Sequence, residues 1–415
     1  MPTLFLTGAS GFVGFQILLH YLRTTPEDHL VRAPVRTPRE ITRLRAIPAL
    51  QPHLHRVSLV EVPDITAPDA YDAHIACHPG AEAGKGEAKV REQEQARVPD
   101  VIIHAASPVV CPTENPYKDI YVPSVRGVEN ILSSVRKALL QQKDSQAGER
   151  KPHKVIFTSS LAAVTPHPPP AAEADTTTPE ERGTGTKTSA WKVVHISETS
   201  SPPAQPSDLQ SLRPAAVYSA AKAKGLALVE EFCANPAETE GIDVAAVLPA
   251  FIFGPDERAT TRGQVMGSSN ALLLGPLFTG DGGGTGDAPM PIAGTVVDVR
   301  DVAECHVKLA LGRRDEGGEE GGKPRARLAK FLCARDADWN ALLRHARGVA
   351  QEKGLVGPPT PRGEGEGQEG QKQDAFLSLP VDIDVRATED VLGIRFKEPE
   401  EMVADLVTYV VGLPD

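Results

Sequence analysis

Three residues have the types and spacing for proton chemistry. Tyr218 and Lys222 stand in the run Tyr218-Ser219-Ala220-Ala221-Lys222, one helical turn apart and therefore on one face of a helix. A free phenol titrates near pKa 10, too high for an efficient proton donor or acceptor at neutral pH. A neighbouring ammonium stabilises phenolate, so Lys222 is expected to lower the Tyr218 value. Ser160 follows the apolar run Val155-Ile156-Phe157-Thr158, which reads as a strand. It therefore sits at the strand's carboxyl end, where its hydroxyl can donate to a substrate oxygen. With a dinucleotide bound nearby, the three suit hydride transfer to or from a carbonyl. A Tyr-x-x-x-Lys pair alone is a common surface arrangement, and its meaning depends on what precedes it.

What precedes it is Thr3-Leu4-Phe5-Leu6-Thr7-Gly8-Ala9-Ser10-Gly11-Phe12-Val13-Gly14. A short apolar run ends in three glycines and continues as an amphipathic segment from Phe15 to Leu22, which predicts strand, tight turn and helix. Gly8 serves the turn, Gly11 a close backbone approach to a diphosphate, and Gly14 tight packing of helix on strand. The N–H groups and positive dipole end of the helix then face the phosphates, making residues 7–14 a dinucleotide cradle that includes Thr7, Ser10, Phe12 and Val13. An acidic residue at the end of the second strand would bind a ribose diol and favour NAD. This chain has Arg36 there, with Arg32 before it and Arg39 after it. A guanidinium complements a 2′-phosphate through charge-assisted bonds, so NADP(H) is the expected cofactor.

Apolar runs at 30–36, 57–62, 101–106, 155–158 and 244–248 alternate with helical patterns around 39–46, 124–140 and 218–232. That rhythm predicts an α/β fold, a doubly wound parallel sheet of Rossmann type with a smaller discontinuous carboxyl-terminal lobe. The dinucleotide domain is expected over 1–250 and about 297–312, with polar insertions at about 78–97, 143–152 and 166–190. The substrate lobe is expected from about 190–217, 251–296 and 328–415, with insertions at about 313–327 and 354–373. A net charge of −11 without a Lys/Arg stripe argues against a nucleic-acid surface. Five scattered cysteines show no metal spacing and suit free thiols in a reducing compartment. No apolar run reaches membrane-spanning length. A cytoplasmic protein with no metal and no membrane or nucleic-acid partner is expected, as a monomer or homodimer.

The chain resembles the extended short-chain dehydrogenase/reductases, and within them the dihydroflavonol-reductase-like branch that includes fungal NADPH-dependent carbonyl (methylglyoxal-type) reductases. The residues carrying the resemblance are Thr7 to Gly14, Val62-Pro63-Asp64-Ile65, His104-Ala105-Ala106-Ser107-Pro108 and Pro123 to Val128. Further on they are Phe157 to Ser160, Tyr218 to Lys222, Pro249 to Pro255, Val297 to Ala303 and Leu392 to Phe396. The resemblance implies that Ser160 polarises a substrate carbonyl, Tyr218 donates the proton, and Lys222 holds the nicotinamide ribose and tunes Tyr218. It also implies that Arg36 is the main 2′-phosphate contact and that Asp64 and Ile65 border the adenine. Ala105, Ala106 and Ser107 would line the cofactor, with Pro249, Ala250, Phe251 and Ile252 beside the nicotinamide. His104, Asp298 and Asp301 are read as structural. The expected activity is NADPH-dependent reduction of an aldehyde or ketone. The alternatives are a hydroxysteroid dehydrogenase/isomerase, a nucleotide-sugar epimerase/dehydratase, or a non-catalytic NADP sensor.

Overall fold

The computed structural model describes residues 2–75, 98–110, 112–143, 152–165, 194–235, 239, 241–279, 290–312, 328–356 and 376–415. The insertions read at about 78–97, 166–190 and 313–327 lie outside this set. So do all but the ends of 143–152 and the greater part of 354–373.

The amino-terminal half alternates strand and helix. It runs β1 (Thr3–Thr7), α1 (Phe12–Thr24), β2 (Leu30–Val35), α2 (Pro38–Arg45), β3 (Val57–Glu61), α3 (Asp72–Ile75), β4 (Val101–His104), α4 (Val122–Lys143) and β5 (Lys154–Thr158). Next come β6 (Val194–Ile196), α5 (Pro214–Cys233), β7 (Asp243–Pro249), β8 (Phe251–Phe253), α6 (Arg262–Val265) and α7 (Ala271–Thr279). The rest is β9 (Met290–Ala293), β10 (Thr295–Asp298), α8 (Val299–Leu311), β11 (Ala329–Cys333), β12 (Arg335–Asp336), α9 (Trp339–Glu352), β13 (Phe376–Leu379), β14 (Val381–Ile383), α10 (Arg386–Leu392) and α11 (Pro399–Val411).

Seven strands pair in the order β3-β2-β1-β4-β5-β7-β11, every pair parallel. Leu4, Phe5, Leu6, Ile102, Ile103, Val155 and Ile156 have no exposed surface, as expected of central strands covered on both faces. The connections run one way from β1 to β2 and the other way from β4 to β5. Right-handed crossovers then put α1 and α4 on opposite faces, where α1 packs on α8 and α4 on α5. The order reverses between β1 and β4, so their carboxyl ends, Thr7 and His104, flank the crevice where such sheets bind ligands. This is the Rossmann arrangement expected from the sequence.

A second core gathers Phe253, Leu273, Leu274, Val296, Trp339, Leu342, Phe376, Met402, Val403 and Leu406, all buried. The β14-β6 pair packs on the main core, while two small sheets, β12-β10-β8 and β13-β9, frame the second. Trp339 is its centre, with Phe251, Phe253 and Phe376 rings 5.1–5.4 Å away. Its indole N–H donates to the Ala293 carbonyl at 2.8 Å.

One segment departs from the expected division. Residues 329–333, assigned with the carboxyl-terminal lobe on sequence order, form the seventh strand of the main sheet against Ala245–Pro249. The buried Leu332 and Cys333 extend that core, and the Cys333 sulfur meets the buried Cys305 sulfur of α8 at 3.4 Å. Sequence distance concealed both contacts.

Candidate active site and cofactor cradle

The crevice begins at the glycine turn. Gly8 has φ +77°, and a Cβ on it would lie 2.7 Å from backbone atoms of Ala105 and Ala106. A Cβ on Gly14 would lie 2.1 Å from the Gly8 carbonyl oxygen. The turn and the first turn of α1 therefore pack against the ends of β1 and β4 at distances only glycine allows. Gly11 caps α1, donating its N–H to Gly8 at 2.9 Å and accepting from Phe15 at 2.9 Å. The N–H groups of Phe12, Val13 and Gly14 begin the helix without intrahelical acceptors and point out of its positive end. This cradle fits the diphosphate of a dinucleotide.

Thr7 and His104 lock the floor of the crevice. The Thr7 hydroxyl accepts from the N–H groups of Ala105 and Ala106, each at 3.1 Å, and meets His104 Nδ1 at 2.9 Å. With both lone pairs occupied, Thr7 must donate its proton to Nδ1, so His104 carries hydrogen on Nε2. Burial and the nearby Lys222 charge push His104 down to about 3, which keeps the ring neutral. Nε2 has no partner among the described residues. His104 borders a cavity of about 30 Å³ shared with Ser107, Ser124, Thr158, Ser159 and Lys222. Ser107 and Ser124 meet hydroxyl to hydroxyl at 3.2 Å.

Ser160 follows β5 and caps a short 3-10 turn, its Oγ accepting from Ala162 N–H at 3.2 Å. The same hydroxyl lies near enough to the Tyr218 phenol to act on its titration. Pro214 opens α5 at the position where a missing N–H costs nothing. That start brings Tyr218 and Lys222 onto the helix face turned to β5. Lys222 Nζ lies 5.6 Å from the Tyr218 ring centroid and donates to the Thr158 carbonyl at 3.4 Å. Ser160, Tyr218 and Lys222 therefore converge at the carboxyl end of β5.

The expected lowering of Tyr218 by Lys222 does not hold. Burial raises the phenol above its ordinary value, and the nearby Ser160 hydroxyl opposes that rise without cancelling it. Burial also lowers Lys222, to about 8. Desolvation is the leading cause at both groups.

At the end of β2 the arginines separate. Arg32 is buried in the strand, donates to the His74 carbonyl at 2.5 Å, and is lowered by burial to about 10. It plays no part in an arginine cluster. Arg36 is exposed and free of hydrogen bonds or ion pairs at its guanidinium among the described residues. Its backbone N–H donates to Glu40 at 3.0 Å while Thr37 accepts from Glu40 N–H at 3.2 Å. This cap at the start of α2 fixes the Arg36 backbone just past the carboxyl end of β2.

Residues 6–276, more than half of the chain, match the family described as male sterility protein. The chain belongs to that family. It is an extended short-chain dehydrogenase/reductase, a nicotinamide-dinucleotide-binding class. Over 408 residues it is 23% identical to an NADPH-dependent methylglyoxal reductase of Saccharomyces cerevisiae, covering 98% of each chain. It is also 23% identical over 414 residues to an NAD-dependent epimerase/dehydratase of Alternaria alternata, covering 96% of this chain and 94% of that one. Among solved structures it resembles the yeast methylglyoxal/isovaleraldehyde reductase complexed with NADPH, with TM-score 0.64 and 20% identity over 99% of this chain and 98% of the other. That likeness concerns the fold.

In this member of the male sterility protein family several motif residues serve the scaffold. Asp64 is exposed, but its carboxylate accepts from Thr66 N–H and hydroxyl, both at 2.7 Å, which holds it low. The Ile65 carbonyl accepts from Asn130 at 2.7 Å. Pro249 ends β7, and Ala250 N–H donates to the Cys333 carbonyl at 2.9 Å. Side chains alternate along β8: Phe251 turns to Trp339 in the second core, while Ile252 packs on the main core. Sequence reasoning missed His306 on α8. Its Nδ1–H donates to the Val302 carbonyl at 2.7 Å, leaving Nε2 to accept from the Thr158 hydroxyl at 2.8 Å. Burial lowers it to about 4, so it braces the strand end as a neutral ring.

Proposed function

We propose that this protein is an NADPH-dependent oxidoreductase that reduces the carbonyl of a small aldehyde or ketone to an alcohol. The observation that carries the reading is the convergence of Ser160, Tyr218 and Lys222 beside the glycine cradle. The Ser160 hydroxyl acts on the Tyr218 phenol, and the Lys222 ammonium lies 5.6 Å from the same ring's centroid.

The chain's own residues divide the work. The first N–H groups of α1 hold the diphosphate, and Arg36 holds a 2′-phosphate. Asp64 and Ile65 border the adenine, Ala105, Ala106 and Ser107 line the dinucleotide, and residues 249–252 flank the nicotinamide end. When bound, the reduced nicotinamide supplies the hydride. Ser160 donates to the substrate oxygen as negative charge develops there, where a preorganised donor counts most. Tyr218, kept protonated by burial, delivers its proton to that oxygen. Lys222 holds the ribose, and its charge stabilises the phenolate that remains. The carbonyl carbon gains hydride and its oxygen gains the Tyr218 proton, which gives the alcohol.

The substrate would be held between the Rossmann crevice and the second core, by described residues of 194–217 and 251–279. The enzyme would act in the cytoplasm as a monomer or homodimer, without metal, nucleic acid or membrane partner. Among the described residues no helix is long and apolar enough to cross a membrane. The test is NADPH consumption by the purified protein against a panel of aldehydes, diketones and ketosteroids, with NADH in parallel. Consumption of NADPH with one carbonyl class is expected. Tight NADPH binding without consumption across the panel would contradict the reading.

A further inference from the structure

A short segment after β8 grips both ends of α1. Asp256, Glu257 and Arg258 follow Gly254-Pro255, and each side chain is committed. Asp256, 3% exposed, accepts from Arg258 Nε at 2.8 Å and from its Nη2 at 2.6 Å. It also accepts from the Arg258 backbone N–H at 3.2 Å. The remaining Nη1 of Arg258 donates to the carbonyl of Ser10 at 2.7 Å, inside the glycine turn. The guanidinium carbon lies 6.0 Å from the Phe12 ring centroid, within reach of a cation–π attraction. At the other end of α1, Glu257 takes Arg23 in a two-pronged pair at 2.8 and 2.7 Å. Behind the segment, Tyr409 of α11 donates to the Asp256 carbonyl at 2.7 Å, and Ala259 is buried in the second core.

We propose that Arg258 is a positioning residue for the cofactor diphosphate, holding the Ser10–Gly11 peptide so that the first N–H groups of α1 stay aimed at the phosphates. The proposal rests on the dinucleotide reading above. The geometry separates this role from direct charge pairing. Arg258 is neutralised by a buried carboxylate that meets two of its nitrogens, and it touches the turn through a neutral carbonyl. It therefore works by orientation. Because Gly11 N–H is bound to Gly8, fixing the Ser10 carbonyl fixes the whole peptide plane. The second core thus reaches across 248 positions of sequence to set the phosphate cradle.

The experiment is equilibrium binding of NADPH and of NADH to the full chain, with thermal melting of every variant. Arg258→Ala is expected to weaken both nucleotides about tenfold, leaving their ratio unchanged, because the diphosphate is common to both. Arg258→Lys keeps the charge but cannot span Asp256 and Ser10 together, and is expected to lose most of the same affinity. Asp256→Asn, which frees charge on Arg258 while loosening its orientation, is expected to weaken binding. Glu257→Gln, which opens only the far-end pair with Arg23, controls for stability and is expected to keep affinity at a lowered melting temperature. Unchanged affinity in Arg258→Ala or Arg258→Lys would overturn the proposal. So would a loss confined to NADPH, tighter binding by Asp256→Asn, or an equal loss in Glu257→Gln. Wild type that binds neither nucleotide would overturn the dinucleotide reading itself. Wild-type binding with an unaffected Arg258→Ala would overturn only the role of Arg258.

Discussion

Burial sets the protonation of the side chains around Tyr218. The phenol is held above its ordinary value while the ammonium of Lys222 is held down at about 8. In the free enzyme, kcat/KM for a carbonyl substrate is expected to fall as pH rises through about 8, as Lys222 loses its charge, with Tyr218 still protonated. A pH profile flat well beyond 8 would contradict this. Arg36, exposed and unpaired at its guanidinium among the described residues, gives a second prediction. Arg36→Asp should weaken NADPH at least about tenfold and leave NADH within about twofold. Equal losses in a titration would remove Arg36 from the 2′-phosphate site. Residue types and short spacing made Tyr218, Lys222 and Arg36 legible in the sequence. Burial was not legible there: it reversed the expected shift of Tyr218 and took Arg32 out of the arginine cluster.

Element by element, the glycine turn with α1 shows which local signals survive folding. Alanine ordinarily favours a helix over glycine by about 1 kcal/mol. At Gly14, however, a Cβ would lie 2.1 Å from the Gly8 carbonyl oxygen, and backbone cannot yield cheaply. Gly14→Ala should destabilise the protein by about 2 kcal/mol or more and abolish dinucleotide binding. A gain in stability by denaturant unfolding would contradict the packing argument. Helix α8 supplies a pH prediction. Asp298 caps it, accepting from Arg300 N–H at 2.7 Å, and Arg300 bridges on to Asp405 of α11 at 2.6 Å. Its neighbour Asp301 accepts from Lys397 N–H at 2.8 Å, yet burial raises it to about 6. Between about pH 4 and 6 the folded chain holds a proton that the unfolded chain has lost, so stability falls as pH rises through that window. The contribution is at most about 3 kcal/mol. Asp301→Asn should flatten that part of the curve, and identical pH slopes in both proteins would contradict it. The structural reading of Asp298 and Asp301 came from the motif, whereas their partners in α11 and at Lys397 lay too far along the chain to read.

Over the whole molecule, two cores are joined by long-range contacts, among them Arg258 on the Ser10 carbonyl. Strand alternation made the seven-stranded parallel sheet legible through β7. The seventh strand, β11, was not legible, because it returns to the sheet after helix α8 and a long polar stretch. Arg258 on Ser10 and the Cys305–Cys333 contact were hidden for the same reason. The second core depends on Trp339, which has no exposed surface and three aromatic neighbours. Trp339→Ala should cost about 3–5 kcal/mol in denaturant unfolding, and a loss under about 1 kcal/mol would contradict its central place. The measurement that tests the proposed chemistry most directly joins both cores and the crevice in one readout. It compares Tyr218→Phe with wild type for turnover of a carbonyl substrate and for NADPH affinity. Loss of the phenolic proton is expected to lower kcat by at least about a hundredfold while affinity stays within about threefold. Turnover at the wild-type rate would contradict Tyr218 as the proton donor.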